Sequence, residues 1–218
     1  MKHLLIVLLC SVALGIEGRE KINLAENNKN SVVLSAGYGA PSIIRTFLKK
    51  NNNHQDYKIM GYGPYMFKGE YFINSRWTVG FNFTYSFSRL SWMGEGYDTV
   101  KHDMGIFEYG IEMEDYSLLL RSNYHFSPKK RFDKYVGFGI GYGRIAFGTY
   151  TEAPVNQFSV GIVLPRPLSI EATFGLRYAV TRRFGIYSEI GLGKSWILFN
   201  KYFIPESLIQ AGMYLRVR

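Results

Sequence analysis

Cysteine is almost absent from this chain of 218 residues, whose single thiol, Cys10, lies within an apolar N-terminal run. A mature form without that run has neither a disulfide framework nor a thiol nucleophile. Long apolar stretches are missing from the rest of the chain, and the mean hydropathy is only −0.08. These values exclude a helical membrane protein. They allow a β-barrel, because only alternate residues of its strands face lipid.

The N-terminus has the pattern of a secretory signal peptide. Lys2 provides positive charge, residues 4–14 are apolar, and residues 13–15 form a small-x-small cleavage site. The apolar run of about a dozen residues is too short for a membrane anchor, and the bulky Leu9 disfavours lipidation at Cys10. We therefore expect a cleaved signal peptide at 1–15, a flexible periplasmic lead-in at 16–30 and a barrel at 31–218.

Eight segments with alternating apolar and polar residues follow, and turn residues separate them. The segments are 31–39, 57–73, 77–90, 116–126, 135–147, 168–180, 184–196 and 206–217. The separators are short at 74–76, 127–134 and 181–183, and longer at 40–56, 91–115, 148–167 and 197–205. This pattern predicts an all-β fold: a closed, up-and-down, eight-stranded antiparallel transmembrane β-barrel with short periplasmic turns and long extracellular loops.

The residue types on the two faces indicate which one points outward. In the third segment Trp77, Val79 and Phe81 share one face, and the intervening positions are small or polar. A soluble, lipocalin-like barrel would place the apolar face inside and expose many Lys and Glu side chains. Here the polar face is mostly Gly, Ser, Thr and Asn. An eight-stranded barrel has a narrow interior, so small residues belong inside and rings outside.

With these features the chain resembles the eight-stranded outer-membrane barrel family, which includes outer membrane proteins X and A. The resemblance depends on the signal peptide, the strand count, the alternating final strand 209–217 and the phrase at 63–71. In the related barrel of outer membrane protein A an interior network of ion pairs closes the lumen, and the resemblance implies the same plug here. Alternation places seven charged residues inside, where they must compensate one another: Lys68, Glu70, Arg121, Glu171, Arg177, Glu189 and Arg216.

Aromatic residues cluster near the ends of the segments, as expected for girdles at the two membrane interfaces. The predicted girdle beside the short turns contains Tyr71, Trp77, Phe126, Tyr135 and Phe184. Towards the long loops the predicted girdle contains Trp92 and Trp196.

Catalysis is not predicted, because Ser122 and His125 face opposite sides of one strand and Ser127 lies at a turn. No cofactor or metal site is predicted either. The formal net charge is +9, but export and the position of the basic residues between strands argue against nucleic acid. Anionic lipid headgroups account for the basic residues better.

The sequence thus favours a structural or surface-interaction protein of the cell outer membrane, with a plugged lumen and no enzymatic activity. We expect a monomer that contacts outer-membrane lipid, lipopolysaccharide and the barrel-assembly machinery, while its extracellular loop partner is not identified. A narrow channel for small solutes and a lipid-modifying enzyme are the alternatives.

Alternation makes a specific prediction for one strand. Leu120 faces lipid, so Leu120→Arg should destabilise the folded barrel by about 2–4 kcal/mol, the cost of arginine near the bilayer midplane. Ser122 lies on the same face, and Ser122→Leu should be tolerated. Urea unfolding in lipid vesicles measures both effects. Normal folding of Leu120→Arg together with misfolding of Ser122→Leu would contradict the predicted strand register.

Overall fold

Alternating side chains and antiparallel pairing define the architecture. The computed structural model describes residues 30–40, 57–128, 130–153, 161–197, 200–202 and 209–217, without the side chains of 166, 194–197 and 200–202. The strands are β1 (Val32–Ala40), β2 (Tyr57–Phe72), β3 (Trp77–Asp98), β4 (Asp103–His125), β5 (Phe132–Thr151), β6 (Ile162–Ala179), β7 (Phe184–Ile197), β8 (Asn200–Tyr202) and β9 (Ile209–Val217).

Eight of these strands close into a ring. Each of β1 to β6 pairs with the next strand in antiparallel fashion, β7 pairs with β9, and β9 pairs with β1. The three-residue β8 lies outside the ring and pairs only with the end of β7. The predicted closed eight-stranded antiparallel barrel is therefore confirmed.

No helix in the described ranges is long and apolar enough to cross a membrane.

The strands extend further than the sequence predicted. Much of the predicted loop 91–115 is strand, because β3 has 22 residues and β4 has 23 and they pair up to Asp98 and Asp103. The Asp98 carboxylate closes the turn by accepting the backbone N–H groups of Val100 (2.9 Å) and Lys101 (3.0 Å). Strand structure likewise occupies both ends of the predicted loop 148–167. Residues 41–56, from the first predicted loop, and the lead-in and signal segments through residue 29 lie outside the described residues.

Burial separates an outer and an inner face on every strand of the ring. On β4, Leu120 is 67% exposed and the adjacent Arg121 is 5% exposed. Large apolar residues line the outside of all eight strands, and many buried residues are polar or charged. This is the reverse of a soluble barrel, whose apolar face lies inside.

Glycines on the inner face leave room for large neighbouring side chains. A Cβ atom built on Gly175 would lie 2.2 Å from the Tyr135 ring, and one on Gly37 would lie 2.3 Å from the Tyr187 hydroxyl. Both distances are far shorter than a van der Waals contact. Large side chains therefore extend over glycines of nearby strands into the narrow interior, as expected for a ring of eight strands.

Candidate functional site: the lumen and the two rims

The central cluster of the lumen is organised around one carboxylate. Glu189 on β7 accepts hydrogen bonds from Lys68 Nζ (2.6 Å), Arg121 Nη1 (3.1 Å) and the Tyr135 hydroxyl (2.5 Å). Lys68 also donates to the Gln210 amide oxygen at 2.7 Å. All five side chains are buried, so four strands besides β7 are connected through Glu189.

A second cluster, the turn-end cluster, lies closer to the short turns. Arg177 donates to Glu70 at 2.5 Å, and the Thr78 hydroxyl lies 3.4 Å from both Glu70 Oε2 and His125 Nε2. His125 Nδ1 lies 2.6 Å from Asp133 Oδ2. The turn-end cluster therefore connects β2, β3, β4, β5 and β6.

The structure places all seven charged residues of the predicted network inside the barrel. Five of them form the ion pairs of the two clusters described above. Glu171 lies in the lumen beside Gly139 and Gly193 of the neighbouring strands. Arg216 lies over the Phe72 ring, 5.9 Å from its centroid.

Sequence reasoning missed several polar partners of this network: Thr78, His125, Asp133, Tyr135, Thr173 and Gln210. Each has the parity of the inner face of its strand, so alternation alone could have identified them. With Asp133 included, four buried cations around the clusters are matched by four buried carboxylates. Such compensation is necessary because an unpaired charge in this environment costs several kcal/mol.

Tyr135 requires a correction, because it does not belong to the aromatic girdle. Its side chain is 0% exposed, points into the lumen and packs between His125, with ring centroids 5.1 Å apart, and Arg177, 4.9 Å from the Tyr135 ring. The physical reason is strand parity. Val136 faces outward, so the adjacent Tyr135 must face inward.

The other predicted girdle residues lie mainly outside. Tyr71, Trp77, Phe126 and Phe184 are exposed on the outer surface near the short turns. Trp92 is half-buried and contacts Tyr57, with ring centroids 5.9 Å apart, and the side chain of Trp196 lies outside the described part.

A row of tyrosines forms an outer band that the sequence did not reveal. Tyr38, Tyr65, Tyr85 and Tyr116 are neighbours on β1 to β4, with centroid separations of 5.5 Å between the first two and 4.8 Å between the last two. Arg144 on β5 extends the band, 5.0 Å from the Tyr116 ring. Because the four rings come from different strands, their alignment depends on the strand register.

The β3–β4 hairpin continues beyond this tyrosine row. Residues 93–98 and 103–107 have only each other as pairing partners among the described strands. Met93, Tyr97, Met104 and Ile106 are exposed on the hairpin, and so is Val100 in its turn. The backbone N–H groups of Lys101 and Val100 lower the pKa of the Asp98 carboxyl, so the tip keeps its negative charge.

One trio of described side chains resembles a catalytic triad but is inaccessible. Thr78, His125 and Asp133 stand in the order hydroxyl, imidazole and carboxylate, but Thr78 and His125 are completely buried. A substrate therefore has no path to the hydroxyl. Within the same residues, no group of three or more His, Cys, Asp or Glu side chains is arranged to hold a metal ion.

Comparisons with known proteins give only a weak likeness. No protein-family model matches the sequence, and no curated protein matches it. The structure is similar to OprG from Pseudomonas aeruginosa, with 11% identity, coverage of 88% of this chain and 97% of that one, and a TM-score of 0.46. It is also similar to the attachment invasion locus protein Ail of Yersinia pestis, crystallised with the heparin analogue sucrose octasulfate, with 14% identity, 86% and 96% coverage and a TM-score of 0.43.

A third similar structure is the N-terminal β-barrel domain of Pseudomonas aeruginosa OprF, with 14% identity, 87% and 98% coverage and a TM-score of 0.39. These values carry no information about activity or ligands, and the fold assignment rests on the strand pairing itself. That pairing, with an apolar exterior, gives the chain the architecture of an eight-stranded outer-membrane β-barrel.

The central cluster predicts strong coupling between Lys68 and Glu189. Glu189→Gln or Lys68→Met alone should destabilise the barrel by about 3–5 kcal/mol, because each leaves a buried charge without its partner. The double variant should recover part of that loss. A double-mutant cycle read by urea unfolding in vesicles measures the coupling.

The outer pair Arg89–Glu112 is the matched control for this cycle. Its side chains are 25% and 31% exposed, so its coupling should be at most about 1 kcal/mol. Equal coupling energies for the inner and outer pairs would show that burial in the lumen does not strengthen the Lys68–Glu189 interaction.

Proposed function

We propose that this chain is a non-enzymatic integral protein of the cell outer membrane that closes its own lumen and contacts a partner at the cell surface. The projecting β3–β4 hairpin is the observation that carries the surface-interaction role. We further expect a monomer that is inserted by the barrel-assembly machinery and surrounded by outer-membrane lipid and lipopolysaccharide.

The outer surface supports a membrane location. On β3, Tyr85 of the tyrosine row lies eight positions after Trp77, which is near the short turns. This spacing corresponds to about 26 Å along a strand, or about 20 Å across a membrane for strands tilted by about 40°. The exposed residues between the two rows are apolar, as a lipid-facing band requires.

The two clusters support a closed lumen. Lys68 and Arg121 lie on opposite sides of Glu189 in the ring of strands and are held to it by ion pairs. Tyr135 and Tyr187 fill space beside them and are themselves buried. An interior this narrow leaves little volume for a continuous water path.

In planar bilayers, the purified protein should therefore show at most rare, small openings. Single-channel recording is the measurement, and a Glu189→Gln variant should open more often because its cations lose their shared carboxylate. A steady, large conductance of the unmodified protein would contradict a plugged lumen and support the alternative of a narrow channel.

The hairpin supports contact with a polypeptide of particular chemistry. Its backbone edges pair with no other described strand and can accept an added strand, and exposed apolar side chains lie beside acidic ones. The acidic residues are Glu95, Asp98, Asp103 and Glu108. We therefore propose an extended partner segment with apolar and basic side chains. A sulfated sugar such as the ligand of the Ail structure suits this acidic hairpin poorly, because like charges repel.

Shortening the hairpin tests this role without altering the barrel. Trp92 and Tyr109 form a cross-strand pair, so replacing residues 93–108 with Asn-Gly should give a tight two-residue turn. On an array of short random peptides, the unmodified protein in nanodiscs should bind basic, apolar sequences, and the shortened protein should lose this binding.

A length-preserving variant, Met93→Thr with Ile106→Thr, serves as the control for the array. It keeps the hairpin edges and should weaken binding without abolishing it. Heat-modifiability on gels verifies that all three proteins are folded barrels. An unchanged peptide profile after shortening would exclude the hairpin as the contact site.

A further inference from the structure

The short turns at one rim carry strongly positive charge. Turns at 73–76, 126–131 and 180–183 connect the strands there, and six cations lie in or next to them: Arg76, Lys130, Arg131, Lys134, Arg182 and Arg183. We call these six residues the basic collar. The one carboxylate in the same described segments is Asp133, which is buried and bound to His125 and to the backbone N–H of Ser127. It is therefore poorly placed to neutralise the outer surface of the collar.

Two collar residues lie beside the aromatic girdle on the lipid-facing side. The Arg76 guanidinium donates to the Tyr124 hydroxyl at 3.3 Å, and the Tyr124 ring contacts Trp77 at a centroid distance of 5.0 Å. Lys134 lies on the outer face of β5, two positions after the exposed Phe132 that begins the strand, and its backbone carbonyl accepts the N–H of Phe126. Both cations are exposed. They therefore lie at the depth where interfacial rings meet lipid headgroups.

The opposite rim has a different charge. The projecting hairpin carries the four acidic residues named above, and the described cation in its turn is Lys101. Arg89, lower on the same hairpin, is paired with Glu112. Among the described residues, basic side chains are thus concentrated in the turns of the short-turn rim, where the girdle also lies.

We propose that the basic collar binds the phosphate groups of anionic phospholipids in the leaflet at the short-turn end. The proposal rests on the proposed membrane location. Lysine and arginine near an anionic membrane surface are attracted to it, and the attraction decays within a Debye length. The exposed rings of Trp77 and Phe126 set the depth of the barrel, so that Arg76 and Lys134 lie level with the phosphates. Anionic lipid thereby fixes the vertical position and orientation of the barrel.

Trp77 provides a local sensor for this lipid. With Trp92→Phe and Trp196→Phe, the remaining indole reports on lipid at the short-turn rim through quenching by brominated acyl chains. The protein is reconstituted in vesicles that mix phosphatidylcholine with phosphatidylglycerol, with one or the other lipid brominated. The ratio of quenching efficiencies gives the association constant of phosphatidylglycerol relative to phosphatidylcholine beside Trp77.

The comparison uses two variants with equal loss of charge. Arg76→Gln with Lys134→Gln removes two collar cations, and Lys58→Gln with Arg144→Gln removes two exposed cations towards the other rim. In the sensor protein phosphatidylglycerol should be preferred. The collar variant should reduce this preference several-fold, by up to about five-fold for each cation. The control variant should keep the preference, and high salt should reduce it in the sensor protein.

The outcomes separate this proposal from the proposed function. Heat-modifiability in pure phosphatidylcholine vesicles first establishes that each protein is a folded, inserted barrel. A folded sensor protein without preference for phosphatidylglycerol overturns the collar alone, as does an equal loss in both variants. Failure to insert into any vesicle would instead contradict the membrane location.

Discussion

Pairing of every backbone polar group is the constraint on which the rest of this structure depends. Lipid offers no hydrogen-bond partner, and each unpaired group costs several kcal/mol there. The chain meets this constraint by pairing β9 with both β1 and β7, so that the ring has no open edge. Closure with eight strands then fixes a narrow interior. Inner residues must consequently be small, or must find partners within a few ångströms.

The lumen shows how this restriction is satisfied. Tyr135 and Tyr187 occupy space that glycines on neighbouring strands leave free. Glu189 accepts donors from three other strands, and this arrangement reduces the cost of burying its charge. The same contacts stabilise the ring by connecting strands that are not neighbours in it. The composition of the lumen is thus a consequence of strand number and of charge compensation.

The two rims divide the remaining roles between them. At the short-turn rim, cations such as Arg76 lie beside interfacial rings and suit an anionic headgroup layer. At the other rim, β3 and β4 continue for about 40 Å of strand beyond the tyrosine row and expose apolar and acidic side chains. The two ends of the molecule therefore differ in charge and in the length of strand that extends beyond the aromatic rows, and both proposals rest on this difference.

Alternation in the sequence determined the fold class, the strand count and the inward or outward direction of each side chain, because successive residues of a strand point to opposite faces. The same rule assigns Tyr135 to the lumen. Its aromatic character alone predicts a place in the girdle, and that prediction is wrong. The sequence did not determine the length of the β3–β4 hairpin. Outside lipid a strand needs no continuous apolar face, so the sequence predicts a loop at Gly94 and Glu95, which belong to β3.

Only the tertiary structure decided which inner residues meet. Lys68 and Glu189 are 121 positions apart, and they come together because ring closure and register bring β2 near β7 across β1 and β9. The tyrosine row has the same origin, since Tyr38, Tyr65, Tyr85 and Tyr116 become neighbours through three separate pairings. Alternation acts within one strand, whereas register acts between strands and is set by the closed ring of hydrogen bonds.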